Sequence, residues 1–462
     1  MTTRNDAIAA ATATLDDGRF EKRLAEWVAI PSESQDPRGA PHCARYLTEA
    51  MAPALEALGF AHETFDNPAA GPVMLATRGE GAGPTVLGYG HGDVIRGQED
   101  AWTRGNGPWH LAREGDRFYG RGTADNKGQH LINLIALEAV LEARGHLGFD
   151  AKMMIETGEE VGSSGLREVI EAHREAFAAD VLIASDGPRV APDRPTVSLG
   201  CRGAVNFDLV CHLREGAHHS GNWGGALADP TVILAHALAS IVSPTGEIRV
   251  PEWRPPQPSP ETLALVKDIP LGGGPSAPTP DPDWGEPGFS PPANVYAWNS
   301  FAVLAITAGV PESPVNAIAG EARAHCQLRY IAGTDAADIL PALRRHLDAH
   351  GFGAVAIHPP HGRNAAGFAA NRTEPNHPWA LRVRESIERT TGAPPAVIPQ
   401  MGGSICNELF TEVLGIPAVW LPHSYTGCQQ HAPDEHLLIP TARSALAVMA
   451  GLYWDLGEGT KA

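Results

Sequence analysis

Two adjacent glutamates, Glu159 and Glu160, follow the strand-like run Ala151-Lys152-Met153-Met154-Ile155. Neighbouring side chains on an extended strand point to opposite faces, so the pair can serve one site only if the strand ends before them. Gly158 and Gly162 on either side permit that turn. Acids here can simply favour the start of the helix expected over Leu166 to His173. Against that, uncompensated carboxylates at the end of a buried strand are costly, and a divalent cation would compensate them.

Four further places carry chemistry-bearing side chains. His91 and Asp93 are one residue apart, so on extended backbone they point the same way. A carboxylate behind a metal-bound imidazole fixes its tautomer. Asp125 lies in Gly120-Arg121-Gly122-Thr123-Ala124-Asp125-Asn126-Lys127-Gly128, immediately before a helix. It can cap that helix or bridge two cations. Asp186 sits in an Asp-Gly pair, an ordinary turn signal. His431 lies in Gln430-His431-Ala432-Pro433-Asp434-Glu435. Each has an ordinary structural explanation alone. Together they form two imidazoles, three carboxylates and one spare glutamate, a set suited to two zinc-like ions sharing one carboxylate. A water shared by two such ions is a nucleophile near neutral pH, and a spare carboxylate can take its proton.

The elements that must position these groups read as α/β. Helical spacing covers Phe20 to Val28, Ala44 to Leu58 and Gly128 to Arg144, while Val73 to Thr77, Thr85 to Tyr89, Lys152 to Glu156 and Val181 to Ala184 read as short buried strands. That alternation predicts a mostly parallel sheet covered on both faces, with function at the carboxyl ends of its strands. His91-Gly92-Asp93, the Asp125 loop, Glu159-Glu160 and Asp186 each lie just after one of these strands or in a loop leading to a helix. The pattern changes near Gly200. Strands at Ala204 to Leu213, Ser300 to Thr307, Glu321 to Tyr330 and Ala354 to His358, with helices at Pro230 to Ile241 and Asp335 to His350, suggest a two-layer α+β unit. The Pro/Gly-rich stretch from Pro251 to Pro292 reads as an excursion with short elements near a substrate mouth or subunit contact. The α/β pattern then returns with a helix at Trp379 to Thr391, a strand at Ala418 to Leu421 and a helix at Pro440 to Leu456. The expected organisation is a catalytic domain in two segments, 1–199 and 369–462, with a smaller lid/dimerisation domain, 200–368, inserted.

Composition narrows the partners. The 462 residues carry 35 Lys and Arg against 54 Asp and Glu, a net charge of −19. That argues against nucleic acid and anionic membrane surfaces. No apolar run is long enough to span a bilayer. The six cysteines are scattered without a C-x-x-C pair, which reads as reduced thiols in a cytoplasmic protein.

The order GHGD, GRGTADNKG, ETGEEVGSSG, ASDGP, HHSGNWGG and QHAPDE resembles the di-zinc aminoacylase and dipeptidase superfamily, the group of acetylornithine deacetylase, succinyl-diaminopimelate desuccinylase, glutamate carboxypeptidase and the carnosine dipeptidases. The resemblance is closest to the carnosine-dipeptidase-like branch. It implies that His91, Asp125 and Asp186 hold one zinc and that Asp125, Glu160 and His431 hold the other, with cobalt or manganese also suited. It further implies that Glu159 is the general base, that Asp93 orients His91, and that the Asp125-Asn126 peptide is cis. His219 would stabilise the oxyanion, reaching the partner subunit's site in a homodimer formed through the inserted domain. Asn316, Arg329, Gly403 and Ser404 match positions that contact substrate polar groups, an Arg fork suiting a carboxylate. Two departures stand out: Asp434 replaces an Asn, and Gln400-Met401 replaces an Arg-containing sequence, removing one candidate carboxylate anchor. The expected function is hydrolysis of a dipeptide or N-acyl amino acid. A non-peptide or aromatic amide is the alternative, motivated by that missing anchor and by a lid rich in Trp223, Trp253, Trp284 and Trp298. A non-catalytic binding protein on the same fold is the remote alternative.

Overall fold

The computed structural model describes residues 2–81, 83–272, 278–359 and 369–458. Two sheets dominate it. The strands of the first are β1 (Ala61–Phe65), β2 (Val73–Arg78), β3 (Thr85–His91), β4 (Asp150–Glu156), β5 (Val181–Ala184) and β6 (Thr196–Ser198) from the N-terminal part. The second sheet uses β7 (Gly203–His212), β8 (Ser300–Ala308), β9 (Glu321–Tyr330) and β10 (Val355–His358). Two late strands, β11 (Ala396–Ile398) and β12 (Ala418–Trp420), return to the first sheet.

The first sheet runs β1-β2-β4-β3-β5-β12-β6-β11. Its centre is parallel: β3 pairs with β4 and β5, and β12 with β5. The edge strands β1 and β2 are antiparallel. Successive residues of the central strands enter different cores, as a two-sided sheet requires. Val86, Met153, Ile155 and Ile183 face one cluster, and Leu87, Tyr89, Met154 and Leu182 the other. The first cluster is covered by α1 (Arg4–Ala13), α2 (Arg19–Val28) and α3 (Lys127–Arg144), and by the C-terminal helix Ile439–Gly457. In α2 the buried residues Phe20, Leu24, Trp27 and Val28 recur at helical spacing. Among the described residues no helix is long and apolar enough to cross a membrane.

The second sheet is antiparallel, in the order β8-β9-β7-β10. One face, with Phe207, Leu209, Ala324 and Leu328, is packed beneath the helices Pro230–Ile241 and Ile339–Ala349. The other face carries the alternate residues Ala204, Asn206, Gln327 and Arg329, which register as Ala204 opposite Arg329 and Asn206 opposite Gln327. That polar face looks onto the cleft described below.

Among its described residues the Pro-rich excursion contains three short helical elements, Pro251–Trp253, Pro260–Val266 and Pro291–Tyr296. Trp253 is buried in the second sheet's core, while Val266 and Ile269 pack with Ile398 of β11. The stretch therefore straddles the two sheets. Trp298 is also buried, whereas Trp223 and Trp284 are exposed, so a four-tryptophan lid does not form.

Candidate metal centre and substrate cleft

β4 ends at Glu156, and Glu159–Val161 forms a single helical turn closed by Gly162 at a φ of 85°. This turn puts both glutamates at one site. Their backbone N–H groups donate to the Asp93 carboxylate, Glu159 N to Oδ1 at 3.2 Å and Glu160 N to Oδ2 at 3.1 Å. Asp93 also lies behind His91. The imidazole Nδ1 is 3.0 Å from the Asp93 carbonyl oxygen and 3.5 Å from its carboxylate. The carboxylate is thus shared between the imidazole and the glutamate turn, and the closest contact with the ring is made by the main chain.

On its other side His91 Nε2 lies 3.0 Å from Asp125 Oδ1 and 3.8 Å from Asp186 Oδ2. The second Asp125 oxygen is 3.2 Å from His431 Nε2, which is itself 3.1 Å from Glu160 Oε2. Two groups therefore share Asp125: His91, Asp125 and Asp186, and Asp125, Glu160 and His431, with ligand-capable atoms all within 4.8 Å of one another in each. The peptide between Asp125 and Asn126 is cis. Asn126 donates to the Ser185 carbonyl at 2.9 Å, tying this loop to the end of β5 beside Asp186.

The charges fit a dication site. Burial, reinforced by the neighbouring Asp125, lifts Glu160 to about 7 and Asp186 to about 6. Burial also holds the Glu159 carboxyl well above its ordinary range, with Asp186, Glu160 and Asp125 adding repulsion. His431 is pushed up to about 11 by its hydrogen bonds to Asp125 and Glu160. Glu160 Oε1 is buried with no hydrogen-bond partner, a costly state that a cation would relieve. The donor set of imidazoles and carboxylates suits zinc, cobalt or manganese.

Several residues that hold this arrangement carried no role in the sequence. Glu435 is buried, and its Oε1 accepts the N–H groups of Ala124 at 2.9 Å and Asp125 at 3.0 Å, while Arg121 donates to Oε2 at 2.7 Å. The strand His436–Leu438 pairs with Arg117–Tyr119, so the His431 and Asp125 loops share one small sheet. Asp434 accepts the Thr103 and Arg104 N–H groups at 2.8 and 2.9 Å, so the acid in place of Asn anchors a neighbouring loop. Lys127 is buried and donates to the carbonyls of Trp27 and Ile30. Glu435, Arg121, Asp434 and Lys127 all lie inside the quoted motifs, but only Asp434 stood out there, as a departure from the usual Asn.

A cleft of 920 Å³ opens beside Glu160 and is walled on the far side by Asn206, Gln327, Arg329 and Ser404. Arg329 donates to Ser404 Oγ at 2.9 Å and to Gln327 at 3.0 Å. Ser404 donates in turn to the Arg202 carbonyl at 2.6 Å. The Arg202 guanidinium grips the Gly402 carbonyl through Nε at 3.2 Å and Nη2 at 3.1 Å. Among the described residues neither arginine has a carboxylate in ion-pair contact; their side chains bond to neutral groups. Gln400 is buried, bonding to Cys201, Asn371 and Ala332 of the main chain, and so is absent from the cleft. Gly403 lies in the exposed turn beside Ser404. His219 and Asn316 sit elsewhere: both are exposed on the ribbon His218–His219 and Ala317–Ile318, joined by Ser220 N to Asn316 O at 2.8 Å. Neither lines the cleft.

Residues 87–455 match peptidase family M20/M25/M40. A cysteinylglycine-S-conjugate dipeptidase from Corynebacterium striatum is 30% identical over 363 residues, 76% of either chain. A β-Ala-His dipeptidase from Mus musculus is 32% identical over 254 residues, 51% of either chain. In fold, the chain is similar to an M20 family metallo-carboxypeptidase from Sulfolobus solfataricus, with a TM-score of 0.76 and 24% identity over 95% of this chain and 99% of that one. It is similar also to human carnosine dipeptidase 1, with a TM-score of 0.70 and 22% identity over 99% and 100%. The chain belongs to peptidase family M20/M25/M40 and is a metal-dependent peptidase.

Proposed function

We propose that this peptidase is a two-metal dipeptidase acting on substrates with a free carboxylate. The observation that carries the reading is the pair of ligand groups sharing Asp125, with Glu159 beside them. His91, Asp125 and Asp186 would hold one divalent ion, and Asp125, Glu160 and His431 the other, zinc being the first choice. Two bound ions would supply an acidified water and a polarised scissile carbonyl. Glu159 takes the proton as water adds to the carbonyl carbon, then delivers it to the leaving nitrogen as the C–N bond breaks. Asp93 fixes this carboxyl through the Glu159 and Glu160 N–H groups and keeps His91 in orientation.

Arg329, Gly403 and Ser404 would receive the substrate carboxylate. The support is an arginine in the cleft wall with no carboxylate partner among the described residues, hydrogen-bonded to Ser404. The names of the relatives, acting on cysteinylglycine conjugates and β-Ala-His, point to the same substrate class. The non-peptide amide alternative loses its tryptophan lid, since Trp253 and Trp298 are core residues.

His219 and Asn316 would act from a second copy of the chain. Both stand exposed on one ribbon outside their own chain's cleft. β8 is an edge strand of the second sheet with Val303, Leu304 and Ile306 exposed, a surface that a partner strand would cover. The imidazole of His219 would donate to the developing oxyanion.

The test strips the protein with a chelator, then restores zinc, cobalt or manganese and assays Cys-Gly and β-Ala-His. Hydrolysis that returns with metal supports the reading; full activity without metal sinks it.

A further inference from the structure

A second, smaller pocket of 210 Å³ adjoins the glycine turn on the Asp186 side of the site. Gly187, whose N–H donates to Asp186 Oδ1 at 2.6 Å, forms its inner edge, and the consecutive residues Gly402 to Ile405 form one wall. Ser404 lines both this pocket and the larger cleft beside Glu160. The two spaces therefore meet at the turn that faces Arg329.

The remaining walls are mainly apolar, with Thr426 adding one hydroxyl-bearing side chain. Val190, Ile398 and Met401 line it from the main body, and Pro270 and Tyr296 close it from the Pro-rich excursion. These walls are backed by a packed cluster in which Val266, Ile269 and Ala293 join Val190 and Ile398. The pocket is thus built on fixed side chains. Among the described residues Arg189 is the one cation in the lining, and its guanidinium is turned away, donating to the Pro422 carbonyl at 3.0 Å and to Ser444 at 3.2 Å. No charge from the described walls is offered to an occupant. The volume is below the ~300–1,000 Å³ of pockets that take whole ligands and suits one side chain.

We propose that this pocket, completed by Pro270 and Tyr296 of the Pro-rich excursion, receives an apolar side chain on the substrate residue whose carboxylate is held at Gly403 and Ser404. The inference rests on the dipeptide reading above. A carboxylate on the turn places its own side chain at the turn's edge, and the pocket is the space that begins there. Burying a leucine or phenylalanine side chain there raises kcat/KM by about 10- to 100-fold over glycine. An aspartate or lysine, meeting no partner, is disfavoured.

The experiment measures kcat/KM for Ala-Gly, Ala-Leu, Ala-Phe, Ala-Asp, Ala-Lys and Leu-Gly with the metal-loaded full chain. The expected result is Ala-Leu and Ala-Phe above Ala-Gly by about 10- to 100-fold, with Ala-Asp and Ala-Lys below it. The ratio of Ala-Leu to Ala-Gly is then measured in Met401→Trp, which narrows the pocket, and Tyr296→Ala, which opens it. The ratio is expected to fall toward one in the first. In the second, Ala-Trp is expected to gain relative to Ala-Leu. Hydrolysis of Ala-Gly without side-chain discrimination, discrimination at the first residue only, or ratios unchanged in both variants overturns the pocket assignment while leaving the dipeptide reading intact. No hydrolysis of any member overturns both.

Discussion

Glu435 holds Asp125 by its backbone: the buried carboxylate accepts the Asp125 N–H at 3.0 Å, placing a C-terminal residue behind the carboxylate shared by both ligand groups. The same side chain neutralises Arg121, buried beside it. Glu435→Gln keeps the shape and removes the charge. The expected outcome is a 10- to 100-fold loss of metal affinity, of the order seen when a partner behind a ligand is removed. A loss of roughly 3–5 kcal/mol in stability accompanies it, because Arg121 is left as a buried unpaired charge. Chelator competition and urea unfolding check the two effects separately.

If the Gly403-Ser404 turn receives the substrate carboxylate, Arg202 should act on binding through the turn it grips. Arg202→Lys keeps the charge and loses the double contact with the Gly402 carbonyl. KM for a dipeptide is expected to rise roughly tenfold, with kcat changed by no more than about threefold. Steady-state kinetics decide it, since a purely structural defect would lower active enzyme concentration and leave KM unchanged.

Glu156, at the end of β4, gives a pH signature. It is buried, accepts hydrogen bonds from Tyr89 and Ser163, and is raised from 4.5 to about 7 by burial and by Asp93. Its folded pKa lies above the unfolded one, so its contribution to stability is full below pH 4.5 and is lost as pH rises through about 7. Glu156→Gln removes that loss. In metal-free protein the variant's stability relative to wild type is therefore expected to improve between pH 4.5 and 8, by on the order of 3 kcal/mol. Urea midpoints at the two pH values check it.

If His219 completes a partner's site, inactive chains should complement. A 1:1 mixture of His219→Ala and Glu159→Ala, reassociated after mild denaturation, is expected to regain about a quarter of wild-type turnover, since half the pairs are mixed and each carries one intact site. No recovery would mean that each chain works with its own residues.

The fold was legible where a buried apolar run, a period-2 alternation or a helical spacing stood out. β5, β9 and the helix Pro230–Ile241 coincide with their sequence-based bounds. The strands β6 and β11, three residues each, are too short to show a period, and β1 is an edge strand with mostly exposed polar residues. The helix expected over Ala44 to Leu58 is present but passes through a wider π-type turn at Tyr46–Met51, which the spacing did not reveal. At the site, the motifs located the groups that cluster around Asp125. They did not reveal Glu435 or Arg202, because a buried charge acting on main-chain groups has no spacing rule of its own. The resemblance carried the expectation that His219 serves a partner's site, and its place outside its own chain's cleft accords with that; composition and spacing alone gave no sign of it, since it depends on how the second sheet is set against the first.

Turnover of Glu159→Gln, with metal content measured on the same sample, tests the assignment of Glu159 as the base most directly. The expected result is two divalent ions per chain, as in wild type, with kcat reduced by about 10²- to 10⁴-fold. A variant that holds its metal and turns over within about tenfold of wild type would contradict the assignment of Glu159 as the base.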